Sequence, residues 1–220
     1  MIKVMNILTD TNIGGAGRLL VNYLHNFDRT KFDVCVVLPK NSQLKPFVEA
    51  ERWQVMEIEH GADKSFDMEA VGEIEKLIKK WKPDIVHTHS SFSGKLAAYL
   101  THVPCRFYTR HCAFPQPKKL MTFPGKQLNG LVNNTLATDI VAKAAEDNLL
   151  ETGISPKKVT VIINGVEKMR KTTPEEQSEL KKSLGIPEDA FVCGISARLE
   201  EYKGHRYLLE SAKIVTEKHP

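Results

Sequence analysis

The 220-residue sequence predicts an α/β protein: a Rossmann-like, mostly parallel sheet followed by the opening of a second, truncated Rossmann-like domain. Three observations carry this expectation. Short β-branched runs alternate with segments of helical apolar spacing, as in right-handed βαβ units. A glycine-rich turn, Asn12 to Gly17, joins the first apolar run to the first helical segment. A charged stretch without strand signals then separates residues 1–168 from one further strand and helix.

Ile2 to Leu8 reads as the first buried strand, and Leu19, Leu20, Tyr23, Leu24 and Phe27 follow at helical spacing. Phe32 to Leu38 is a second strand stopped by Pro39, and Val55 to Ile58 is a weaker third. Val71, Ile74, Leu77, Ile78 and Trp81 make one face of a helix that ends before Pro83. Asp84 to His87 is a fourth strand, with a helix from about Gly94 to Leu100, and Cys105 to Thr109 is a fifth. Ile140 to Leu150 mixes a short strand with a helix that stops near Gly153, and Val159 to Ile163 is a further strand. Residues 169–190 are a linker or helical segment, and residues 191–220 begin a second domain with a strand, Phe191 to Ser196, and a helix carrying Leu208, Leu209, Ala212 and Val215. One strand and one helix cannot bury a core of their own, so the chain is expected to stop inside that domain.

Composition is ordinary for a globular protein, which disfavours disordered and fibrous classes. The net charge of +4 suits a phosphate-bearing substrate or an anionic membrane surface without demanding either, and gives no sign of a nucleic-acid partner. Met1 to Leu8 lacks the order of a secretion signal, and no apolar run reaches the about 20 residues of a membrane helix. None of the four cysteines sits at C-x-x-C spacing, and Cys35 and Cys105 fall in strand-like runs where a thiol acts as a small buried hydrophobe. The expected setting is cytoplasmic, with reduced thiols.

The glycine turn leaves the first strand at the edge where parallel sheets bind ligands. Glycines admit close backbone approach, and a helix N-terminus offers N–H groups to a phosphate or a hydroxyl. A nicotinamide site is disfavoured, because Gly15-Ala-Gly17 and Leu20 give only G-x-G-x-x-L and Leu38-Pro39 replaces the acidic end of the second strand. A tight turn without a ligand accounts for the same residues.

Five segments together resemble glycosyltransferase family 4, whose retaining enzymes have the two-domain GT-B fold. They are the Gly14-Gly15 turn; Lys82-Pro-Asp-Ile-Val-His-Thr-His-Ser90, similar to the family's PDIVHxH strand; Tyr108-Thr-Arg-His111; Asn148-Leu-Leu-Glu-Thr-Gly-Ile154 with Val159-Thr-Val-Ile-Ile-Asn-Gly-Val166; and Ala197-Arg-Leu-Glu-Glu-Tyr-Lys-Gly204, which matches G-R-L-x-x-x-K-G. Ala197 and Glu167 depart from the usual glycine and aspartate. The family's acidic E-x7-E motif has no counterpart up to Pro220.

The resemblance implies transfer of a sugar from a nucleoside-diphosphate sugar to a carbohydrate or lipid-linked acceptor with retention, in a truncated chain expected to be inactive alone. It implies that Arg198 and Lys203 hold the donor diphosphate, where fixed cations stabilise growing negative charge. Gly14 and Gly15 add backbone contacts to the diphosphate or to the acceptor across the cleft, and His111 contacts the donor sugar or lines the reaction centre. His89 and Ser90 are acceptor contacts by the same resemblance, Arg110 is a third candidate that points either into the cleft or away from it, and structural packing accounts equally well for His87. His87 and His89 share one strand face, but no third metal ligand is evident, and no D-x-D motif is present. The family generally works without a metal, and no cofactor is expected, the nucleoside-diphosphate sugar being a substrate. Pro117 to Pro124 mixes lysines with apolar residues, so it reads either as a surface loop or as a peripheral contact with the cytoplasmic membrane face. Two alternatives stand beside the transferase: a non-catalytic acceptor-binding fragment, and a sugar-nucleotide epimerase of GT-B fold.

Overall fold

The computed structural model describes residues 1–111, 117–142, 146–165, 168–197 and 199–218, with backbone alone at Leu120 and Ala142. The chain divides into two compact units, Met1–Val166 and Glu167–Pro220. The first holds, in order, β1 (Ile2–Leu8), α1 (Gly15–His25), β2 (Phe32–Pro39), α2 (Lys45–Ala50), β3 (Gln54–Ile58), α3 (Met68–Trp81), β4 (Ile85–His89), α4 (Phe92–Leu100), β5 (Cys105–Arg110), α5 (Lys118–Met121), α6 (Phe123–Leu136), β6 (Asp139–Ala142), α7 (Glu146–Leu150) and β7 (Val159–Val161). Its seven strands form one sheet in the order β3-β2-β1-β4-β5-β6-β7, and every neighbouring pair is parallel.

The two-residue period of β1 fixes the layers. Met5 and Ile7 face one side, where they meet Ala70, Val71, Ile74 and Ile78 of α3 and Ala97 and Ala98 of α4. Val4 and Leu8 face the other, with Leu20 and Leu24 of α1 and Val48 of α2. Both faces are covered, which is why β1 and β2 read as continuous apolar runs. Each buried Leu, Ile or Val contributes about 1.5–3 kcal/mol. Gly94 sets how closely α4 sits on the sheet: a Cβ there would stand 2.9 Å from Thr88 Cγ2 and 3.1 Å from Ile7 Cγ2.

The cysteine expectation holds for Cys35, which is buried, and fails for Cys105, which is exposed. Cys105 opens β5 at the amino edge of the sheet, before the strand is covered. Pro117 to Pro124 is not a plain loop: it contains α5 and, from Phe123, the first turn of α6, with Pro124 in that turn and Thr122 as its N-cap. Proline is tolerated there because the first helical N–H groups have no partner within the helix.

The second unit contains α8 (Pro174–Ser183) and α9 (His205–Lys218). Thr173 and Glu176 form a capping box at the start of α8, around Pro174. The strand expected over Phe191 to Ser196 is absent: these residues carry no ladder, and Phe191 is 92% exposed. A strand needs a neighbour for its N–H and C=O groups, and the described residues of this unit provide none.

Candidate functional site

The order β3-β2-β1-β4-β5 has its switch point between β1 and β4. From β1 the chain runs outward through α1 and α2 on one face, and α3 then brings it back across the other face to β4. The two loops that leave β1 and β4 therefore diverge, and open α/β sheets bind ligands in the crevice this creates at the carboxyl ends. Leu8 is in register with His89, and His89 with Thr109. The edge thus gathers the turn after β1, His89 at the end of β4 with Ser90 after it, and Arg110 at the end of β5 with His111 after it.

Three histidines stand together at this edge. His89 is buried, and its Nδ1 lies 2.9 Å from Nε2 of His111. Their rings are stacked, with centroids 5.2 Å apart. On its other side, His89 Nε2 is 3.4 Å from Oδ1 of Asn6, a fully buried residue of β1 whose Nδ2 has no hydrogen-bond partner. The His87 ring lies 4.3 Å from that of His89, and its Nε2 meets Thr109 Oγ1 at 2.6 Å. Among the described residues no three His, Cys, Asp or Glu side chains are grouped to hold a metal ion.

Ser90 turns the chain out of β4 with a left-handed backbone, φ 59°. Its N–H donates to Thr109 O at 3.1 Å, and its carbonyl accepts from Ser65 Oγ at 3.0 Å. Ser91 then caps α4 by accepting from Gly94 N–H.

The glycine turn is open. Gly14 is the N-cap of α1 and Gly15 its first residue, both at ordinary negative φ. A Cβ built at either would meet nothing within 4 Å. Neither packing nor backbone geometry requires glycine at these two positions, and alanine would serve the helix better. Among the described residues the space beside them is open, at the carboxyl edge where open α/β sheets bind ligands. Two carboxylates that the sequence reading passed over stand nearby. Asp63 accepts from Thr11 N and Thr11 Oγ1, and these bonds hold its carboxyl below the ordinary range. Asp10 is pushed upward by burial and then by the Asp63 charge. Two short-range acids with opposed shifts leave no single-residue signature in sequence.

A second feature lies on the α4 side of the sheet. Lys95 is 3% exposed, yet its hydrogen bond among the described residues is to the neutral Asn133 Oδ1. Its Nζ sits 4.0 Å from the centroid of the Tyr108 ring and 5.2 Å from that of Phe92. Burial, and then the Arg110 charge, push its pKa down to about 8. A cavity of about 520 Å³ opens beside it, lined among others by Arg110 and Lys119 and by the apolar Leu128 and Val132. Sequence reading missed Lys95. The available signal was one lysine among Ser93, Gly94, Ala97 and Ala98, the buried face of a short helix.

Of the predicted residues, His89, Ser90, Arg110 and His111 and the Gly14-Gly15 turn all lie at the carboxyl edge of the first sheet. Arg198 lies outside the described residues. Lys203 belongs to the second unit, where it ends a 3-10 turn (Glu201–Lys203) before the left-handed Gly204, with its Nζ 4.8 Å from the Tyr202 ring centroid. Asn164-Gly165 is tied to α1 by Asn22 Nδ2 donating to Gly165 O. No helix among the described residues is long and apolar enough to cross a membrane.

The chain is similar to known proteins over most of its length. It is 27% identical over 226 residues to the Escherichia coli UDP-Gal:alpha-D-GlcNAc-diphosphoundecaprenol alpha-1,3-galactosyltransferase, covering 98% of this chain and 58% of that protein. The crystal structure of Anabaena HepE in complex with UDP and glucose superposes with a TM-score of 0.73 at 19% identity, covering 96% of this chain and 57% of that one. A UDP-GlcNAc 2-epimerase from Neisseria meningitidis, bound to UDP-GlcNAc, is a more distant likeness: TM-score 0.53 at 16% identity, over 74% of this chain and 47% of that one. These likenesses bear out the GT-B assignment of the fold. The chain spans little more than half the length of the proteins it matches. The sequence pattern of Glycosyltransferase Family 4 matches residues 13–170, from the glycine turn past the last strand of the sheet, and the chain belongs to that family.

Proposed function

We propose that the carboxyl edge of the first sheet is the acceptor side of a glycosyltransferase that moves a hexosyl group from a nucleoside-diphosphate sugar to a lipid-linked or carbohydrate acceptor, with retention at the anomeric carbon. The observation that carries the reading is the clear space over Gly14 and Gly15 beside the stacked His89 and His111. The free N–H groups at the start of α1 face growing negative charge on the donor diphosphate. Arg198 and Lys203 take the same diphosphate by family resemblance, and their fixed charges favour the transition state over the ground state. His111 contacts the sugar at the reaction centre, while His89, Ser90 and Arg110 orient the acceptor. The leaving phosphate itself draws the acceptor proton in a front-face attack, so no protein base is assigned and no metal is invoked. Lys118, Lys119 and the exposed Phe123 make the contact with the cytoplasmic membrane face.

Support for this reading comes from the family and from the galactosyltransferase likeness; the epimerase likeness is weaker. The test is product analysis. Because this chain alone is expected to be inactive, it is joined to a full donor-binding domain of the family, and a panel of nucleoside-diphosphate sugars is offered with a sugar-diphosphate-farnesol acceptor, with products read by mass spectrometry and NMR. A glycosylated acceptor with the donor's anomeric configuration is expected. An inverted product removes retention. An epimerised nucleotide sugar with untouched acceptor puts the epimerase reading first.

A further inference from the structure

The turn after β1 and the corner after β4 lead to helices on opposite faces of the sheet, so strand pairing alone does not fix the spacing of these two loops. One segment bonds to both. It is the connection from β3 to α3, residues 59–67. Asp63 N–H donates to Thr9 O at 2.8 Å, and its carboxylate accepts from Thr11 N–H at 2.8 Å and from Thr11 Oγ1. Thr11 leads into the Gly14-Gly15 turn. Two residues on from Asp63, Ser65 Oγ donates to Ser90 O at 3.0 Å. Ser65 O accepts from the N–H groups of Phe92 at 2.7 Å and Ser93 at 3.0 Å.

The segment is itself fixed to α3. Asp67 caps that helix, accepting from Glu69 and Ala70 N–H, and its own N–H donates to Ser93 Oγ. At the other end, the Glu73 carboxylate accepts from Glu59 N–H at 2.7 Å and meets His60 Nδ1 at 2.6 Å. A connection held at both ends by one helix is a short bridge rather than a loose loop. Asp63 and Ser65 are both exposed, where water competes for their bonds and each bond adds little to stability. Asp63 also has a left-handed backbone, φ 55°, which glycine would adopt without strain. What its side chain supplies there is the reach to Thr11.

We propose that Asp63 and Ser65 are positioning residues of the transfer reaction: through residues 59–67 they hold the glycine turn and the Ser90 corner at one spacing, and so set the donor diphosphate against the acceptor. This rests on the acceptor-side reading above and adds two residues to it. Neither is assigned a substrate contact. When the bridge is cut, each loop still binds its own substrate but the two drift, and small displacements of reacting groups are costly in rate. The signature is a loss of kcat with both KM values kept, whereas a lost contact that binds substrate and transition state alike raises KM.

The first arm of the test uses the 220-residue protein. In nitrogen-15 amide spectra, Asp63→Gly is expected to shift the Ser90 and Phe92 signals, and Ser65→Ala those of Thr11 and Gly14. Melting should barely move in either, since both residues are exposed and glycine suits the Asp63 backbone. Far-loop signals that stay fixed in both variants overturn the proposal. The second arm uses the chain joined to a full donor-binding domain. Each variant is expected to lose about tenfold in kcat, with donor and acceptor KM within about twofold. Asp63→Asn is expected to restore kcat, because its amide oxygen accepts from Thr11 N–H and its amide nitrogen donates to Thr11 Oγ1. The two ends act in series, so Asp63→Gly with Ser65→Ala should lose no more than the worse single variant. Losses that multiply mean two independent props and overturn the bridge, as does a raised KM with kcat kept. The two readings fail separately. Sugar transfer with kcat unmoved in both variants keeps the transferase and loses the bridge; far-loop shifts in a protein that transfers no sugar keep the bridge and lose the reaction it serves.

Discussion

His89 Nδ1 and His111 Nε2 face each other at 2.9 Å, and only one hydrogen fits between them. One ring donates and the other must present a lone pair. With Asn6 Oδ1 3.4 Å from His89 Nε2, the assignment that satisfies both contacts has that nitrogen donate, His89 Nδ1 accept and His111 Nε2 carry the hydrogen. A buried amide on the first strand is thereby coupled, through His89, to the ring that follows the fifth. Asn6→Ala should move the His89 tautomer ratio in nitrogen-15 spectra and lower turnover. Its melting loss should stay within about 1–2 kcal/mol, since the change also removes an unpaired donor. An unchanged tautomer ratio would remove Asn6 from this role.

The two kinds of glycine in this sheet make opposite predictions. Gly15→Ala adds a methyl group into open space at the first turn of a helix, so stability should hold or rise by up to about 1 kcal/mol. The same change should weaken use of the nucleotide sugar, because the methyl enters the space assigned to the diphosphate. Gly94→Ala drives a methyl into Thr88 and Ile7 and should cost about 1–3 kcal/mol. Chemical denaturation with parallel kinetics reads both. A Gly15→Ala protein with unaltered donor KM would mean that the turn faces no ligand.

Much of this architecture was written in local patterns, and what was missed depended on distant partners. β1 and β2 were legible because both faces are buried, which makes their apolar runs continuous. The strand order was not, since pairing of β1 with β4 is decided by how α3 crosses the sheet. Helix α6 hid because its buried residues are only Gly130 and Leu136, while Leu128 and Leu131 point to solvent and blur the apolar period. The run from Phe191 to Ser196 misled in the other direction: it has a strand's composition but no neighbouring strand among the described residues. At the site, the HxH and the Gly-Gly turn were visible as spacing. Lys95 was not, because a buried lysine and a snorkelling one look alike until the cavity around it is seen.

Lys95 also sets a pH dependence. Burial, and then the Arg110 charge, lower its pKa to about 8. Between about 8 and the ordinary lysine value the unfolded chain binds the extra proton, so stability should rise with pH across that window. Lys95→Met should lose this effect and be the more stable protein at neutral pH. Equal pH slopes in the two proteins would show that Lys95 titrates elsewhere.

Ser90 offers the sharpest separation of shape from chemistry. Its left-handed backbone, φ 59°, is held from both sides by Thr109 and Ser65, at a cost of about 1–2 kcal/mol for a residue with a Cβ. Ser90→Gly removes that strain but gives back about 0.5–1 kcal/mol through a freer unfolded chain, so melting should barely move. Ser90→Val keeps the strain and adds branching, and should melt lower. If Ser90 were only a corner, the glycine variant would be fully active. As an acceptor contact it loses its hydroxyl, so acceptor KM should rise about fivefold or more while donor KM stays put. A glycine variant with unchanged acceptor KM would leave Ser90 as a corner and shift acceptor recognition to Arg110 and His89.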